Sequence, residues 1–119
     1  MNKLEYAAFE ATAVAGNKIL VCMPQTFESR YDRTSYIDVM NEIVSFIPKN
    51  MLIESMANTR NIKLNNGSSI RISTCPGEAR GLTVSELIFT HSKEDYDPSY
   101  IYTVLLCIED KKHRRIIGI

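Results

Sequence analysis

Two short alternating runs joined by Asn65-Asn66-Gly67 constrain this chain more than any other feature. Ile62 and Leu64 alternate with polar residues before the turn, and Ile70 and Ile72 do so after it. Asn-Gly between such runs is a strong signal for a β-hairpin, because both residues tolerate positive φ. The pattern predicts a hairpin over residues 61–74. Two further runs are apolar without alternation: KILVCM over residues 18–23, ending at Pro24, and Leu87-Ile88-Phe89 ahead of Thr90. Such runs suit strands buried on both faces, as in a parallel sheet.

Helical spacing fills the intervals. Leu4, Ala7, Ala8, Ala11 and Val14 predict a helix over residues 1–15, closed by Gly16-Asn17. Ile37, Met40, Ile43, Val44 and Ile47 form one stripe and predict a second helix over 35–46, with Asp32 or Thr34 as its cap and Pro48 beyond its end. Residues 51–56 read as either a short strand or an irregular apolar connection. Pro98 suits a first helical turn, so a third helix is expected over 100–108, with a last strand over 116–119. Helices alternating with strands give an α/β rhythm. The expected fold is one α/β domain over residues 1–119: a small, partly parallel sheet with an inserted β-hairpin and about three helices.

Charge and cysteine usage narrow the functions. Lys plus Arg is 14 and Asp plus Glu is 14, so the formal net charge is zero. A nucleic-acid binder usually carries a basic surplus. No run approaches a membrane span and no start resembles a signal peptide, so a soluble intracellular chain is expected. Cys22, Cys75 and Cys107 are far apart without CxxC spacing. Cys22 and Cys107 read as packed thiols, and neither a zinc site nor a disulfide framework is expected.

The order of motifs resembles the ATPase core of the large terminase subunit, the motor that packages DNA into tailed-phage heads. Helicase-type P-loop ATPases share it more loosely. In that family a helix leaves the phosphate loop and a buried strand follows, ending in a short motif, here Val21-Cys22-Met23-Pro24-Gln25-Thr26. A second helix leads to a hairpin with an Asn-Gly-Ser turn, here Leu64-Asn65-Asn66-Gly67-Ser68-Ser69-Ile70. An Ala-Arg-Gly loop comes next, here Ala79-Arg80-Gly81, and then the Walker B strand, here residues 87–91. The last helix and strand match the segment leading to the family's coupling motif.

Two departures set what the resemblance implies. No GxxxxGK[ST] loop stands in the 119 residues, which begin where that loop would already have ended. The Walker B acidic pair, one residue for magnesium and one for water, is replaced by Thr90 and His91. The implied protein is a truncated, P-loop ATPase-like domain that is not an enzyme and takes no cofactor. It would act by binding a protein partner: the packaging motor, or a host or rival protein it inhibits. In such folds the phosphate-loop strand lies between the coupling-motif strand and the neighbouring strand, so its loss leaves a gap or an exposed edge for a partner or a second copy. The implied setting is the cytoplasm of an infected bacterium. Two alternatives stand beside this: a partial DNA-packaging ATPase core completed by another chain, and a small nucleic-acid-binding accessory protein.

Other candidates are local. Arg80, beside Gly81 in a candidate binding loop, could hold a phosphate or tie the loop to an acid, and Lys111, Lys112, Arg114 and Arg115, flanking His113, could touch phosphate or form a charged turn. His91, Glu94 and Asp95, with Asp97 nearby, are candidate metal ligands at a strand end, against the plainer expectation of a solvated acidic loop. Tyr96, Tyr100 and Tyr102 suit either stacking or half-buried packing.

Overall fold

In the computed structural model, which describes residues 2–24, 34–56, 58–74, 83–108 and 115–118, the unbroken apolar runs become inner strands of one six-stranded sheet. In chain order the elements are α1 (Lys3–Ala13), β1 (Lys18–Cys22), α2 (Thr34–Ser45), β2 (Leu52–Met56), β3 (Asn61–Leu64) and β4 (Ser69–Ser73). They continue with β5 (Glu86–Phe89), a 3-10 turn (Lys93–Asp95), α3 (Pro98–Leu105) and β6 (Arg115–Ile117). The strand order is β2-β3-β4-β1-β5-β6. β1 lies parallel between β4 and β5, and β6 adds parallel to β5. β2, β3 and β4 run as an antiparallel meander. The chain is thus α/β, with a mixed, mostly parallel sheet and three helices. The hairpin is no appendage: β4 pairs with β1 from Lys18↔Ser69 to Cys22↔Ser73 and carries the sheet's centre.

Side-chain parity divides the sheet into two faces. Ile19, Val21, Ile62, Leu64, Ile70, Ile72 and Ile88 share one core with Ala7, Ala8 and Ala11 of α1 and Met40 and Ile43 of α2. The alanines let α1 lie close over the strands. Leu20, Cys22, Leu87 and Phe89 point the other way, into a core with Tyr100 and Val104 of α3 and the adjoining Val84, Tyr96 and Cys107. β1 and β5 are covered on both faces, which is why they lack alternation. β3 and β4 alternate because their second face carries Asn61, Lys63, Ser69 and Arg71.

Several expectations shift in detail. Of residues 51–56, Leu52–Met56 form a strand, β2, with a register shift between Leu52 and Glu54. α1 stops at Ala13, so Val14 is exposed rather than part of the stripe. α3 stops at Leu105, and the chain turns to pair Ile108 with Val84. β6 starts at Arg115, and Ile119 lies outside the described residues. In the hairpin turn only Gly67 has positive φ, +86°. Asn66 instead ties the turn to α1 through its side chain. Its Nδ2 donates to Ala11 O at 2.8 Å, and its Oδ1 accepts from Ser68 N at 3.0 Å. Asp32 and Cys75 lie outside the described residues; Cys22 and Cys107 are buried thiols. Among the described residues no helix is long and apolar enough to cross a membrane.

Candidate functional site at the carboxyl ends of the strands

Parallel strands deliver their carboxyl ends to one side of the sheet, where open α/β sheets bind ligands. Met23 follows β1, Thr74 follows β4, Thr90 and His91 follow β5, and Gly118 follows β6. Beside them lies a cleft of 440 Å³ lined by Asn2, Lys3, Met23, Glu42, Thr90 and His91, among others. Asn2 starts α1 by accepting from Glu5 N at 2.8 Å. That cap sets Lys3 at the first helical residue, where its Nζ donates to Phe89 O at 2.8 Å. Gly118, at φ +103°, closes on the same carbonyl. A Cβ there would strike Phe89 O and stand 2.9 Å from Lys3 Nζ. Lys3, Phe89 O and Gly118 therefore clasp α1, β5 and β6 together.

Hydroxyl groups finish the other strand ends. Tyr96 OH donates to Cys22 O at 2.6 Å and accepts from His91 N at 3.1 Å. Tyr100 OH donates to Ser73 O at 3.1 Å and lies 3.0 Å from Ser73 Oγ. The two rings stack at 5.7 Å with an interplanar angle of 16°, and Phe89 meets Tyr96 edge-on at 5.3 Å. Burial pushes the Cys22 thiol up to about 12 and also raises the Tyr96 and Tyr100 hydroxyls. All three stay protonated at neutral pH, the phenols as hydrogen-bond donors. Two of the protein's own tyrosines thus occupy the ends of β1 and β4.

Thr90 Oγ1 lies 2.8 Å from His91 Nδ1 and 3.3 Å from Cys22 O. A hydroxyl beside an imidazole is the arrangement of a nucleophile and a base. The hydroxyl has one proton, however, and two acceptors in reach. Among the described residues the carboxylate lining the cleft is Glu42, from α2 and not from the strand end.

The metal candidates do not converge. His91 lines the cleft beside Lys3, whereas Glu94 lines a separate apolar groove with Lys93, Tyr96, Ile101 and Tyr102. Asp95 accepts from Ser92 Oγ at 3.1 Å. The 3-10 turn sends these side chains apart, and among the described residues no three metal-ligating side chains gather. Asp97 caps α3 by accepting from Ser99 N at 2.9 Å and Ser99 Oγ at 2.8 Å, which lowers its carboxyl pKa. The three tyrosines split: Tyr96 and Tyr100 are buried and Tyr102 is 70% exposed. Arg80, Gly81, Lys111, Lys112, His113 and Arg114 lie outside the described residues. Arg115 opens β6 in register with Glu86.

Lys3 and Glu42 are the site residues that sequence reasoning did not single out, whereas Tyr96 packs against Phe89 and Tyr100. Asn2 as an N-cap is the sequence signal that would have placed Lys3 at a helix start. No protein-family model matches the chain, and no curated protein matches it.

Proposed function

We propose that this is a non-catalytic, terminase-like phage protein that acts by binding a protein partner, either the packaging motor or a host or rival protein whose assembly it disturbs. The observation that carries the reading is the sheet order. β6 is the last strand, next to the strand that would bear the acidic pair, and its outer edge meets no strand among the described residues. Ile116 on it is 44% exposed. A strand edge of this kind is a template for another chain's backbone. The residues at the end of β5 support the non-catalytic part, because Thr90 and His91 cannot both hold magnesium and activate water. A chain with a motor domain's surfaces and without the acidic pair would occupy the motor's own interface without turnover. Its place of action would be the cytoplasm of the infected cell.

The test mixes the purified chain with a purified large terminase subunit. The expected result is a complex that forms without nucleotide and lowers the motor's ATP turnover. Hydrolysis of ATP by the chain alone would sink the reading. ATP binding only in the complex would favour a partial core completed by another chain.

A further inference from the structure

The second face of β3 and β4 carries an unassigned cavity. Cross-strand register sets its composition. Lys18 of β1 pairs with Ser69 of β4, Ser69 pairs with Lys63 of β3, and Arg71 pairs with Asn61. Side chains on these paired positions share a face. The cavity measures 350 Å³, and Lys18, Asn61, Ser69, Arg71, Thr83 and Val84 are among its lining residues. Among the described residues no carboxylate lines it. Among them, too, neither Lys18 nor Arg71 has an ion-pair partner, whereas Lys63, on the same face, is paired with Glu54 at 3.3 Å. Two unneutralised cations therefore meet at one concavity in a chain whose total formal charge is zero.

We propose that this cavity binds a phosphate-bearing ligand. Arg71 and Lys18 would neutralise the phosphate, and Asn61, Ser69 and Thr83 would donate hydrogen bonds to its oxygens. The donor set favours phosphate over carboxylate. Two cations and three neutral donors match a group with up to two charges and several oxygens, and a planar guanidinium with a compact ammonium is a common phosphate pair. The size suits a small phosphorylated molecule. The site lies on a sheet face, away from the strand ends, and does not depend on the partner-binding reading.

The experiment is an amide NMR titration of the intact chain with inorganic phosphate, against sodium chloride at equal ionic strength. Saturable shifts are expected at Lys18, Asn61, Ser69, Arg71 and Thr83. The double variant K18Q/R71Q should weaken binding about tenfold or more, since charge-assisted bonds are lost. K63Q, which removes a charge already paired at the surface, should change it less than about twofold. A short single-stranded oligonucleotide identifies the source of the phosphate. Competition with a steep salt dependence assigns it to a nucleic-acid strand, and no competition assigns it to a small molecule. The proposal is overturned by shifts no larger than those from chloride, by shifts at Lys3 and His91 instead, or by unchanged binding in the double variant.

Discussion

Asn17 sits where the turn after α1 meets the starts of β1, β4 and β5. Its Nδ2 donates to Glu86 Oε1 at 2.9 Å, its Oδ1 accepts from Ser85 Oγ at 2.9 Å, and its backbone N–H donates to Ser68 Oγ at 3.0 Å. The residue is buried, so removing the amide takes a hydrogen bond from the buried Glu86 carboxylate. Asn17→Ala should cost about 2–3 kcal/mol in urea denaturation. Cys22 gives a pH prediction. Its ordinary value is 9.0 and burial pushes it up to about 12, so the unfolded chain loses this proton before the folded one. Stability is therefore independent of this group below pH 9.0 and falls as pH rises from there towards about 12. The slope is up to about 1.4 kcal/mol per pH unit for the one thiol. Tyr96 and Tyr100, raised from 10.0, add to the decline above that pH. Urea midpoints from roughly neutral to strongly alkaline pH should fall less steeply in Cys22→Ala, most clearly just above the thiol's ordinary value.

Among the described residues the sheet has two edge strands, and they are not equivalent. β2 carries a register shift at Ile53 and a charge, Glu54, tied across to Lys63. Bulges and charges are how natural edges resist pairing, so β2 is a poor docking strand although Ile53 is 62% exposed. β6 opens on a charge, Arg115, but no register shift is seen in its pairing and its centre, Ile116, is apolar and 44% exposed. Ile116→Lys should abolish partner binding while Ile53→Lys leaves it intact, with both variants keeping the wild-type far-UV spectrum. β6 also depends on Gly118, whose positive φ and contact with Phe89 O leave no room for a side chain. Gly118→Ala should cost about 1–3 kcal/mol locally. The loss should appear as faster hydrogen exchange at Ile116 and Ile117, with β1 and β4 little changed.

At the scale of the molecule, the sequence carries the layers better than the site. KILVCM and Leu87-Ile88-Phe89 lack alternation because helices lie on both faces of β1 and β5, so their burial is legible. The hairpin is legible, but its turn geometry is not. Asn66 is recruited by the end of α1, 55 residues away, and no local pattern encodes that. Lys3 and the hydrogen bond of Tyr96 escape for the same reason: the partners are backbone carbonyls 86 and 74 residues distant. Thr90 and His91 are legible because they follow an apolar strand directly. The central claim is that the β6 edge binds a partner and that no nucleotide is needed. It is tested most directly by affinity capture of the tagged chain and its Ile116→Lys variant from infected and uninfected cells, without added nucleotide. The account predicts a terminase subunit, or one defined host protein, retained by the wild type and lost by the variant. A chain that stays monomeric and captures nothing the variant does not also capture would contradict it.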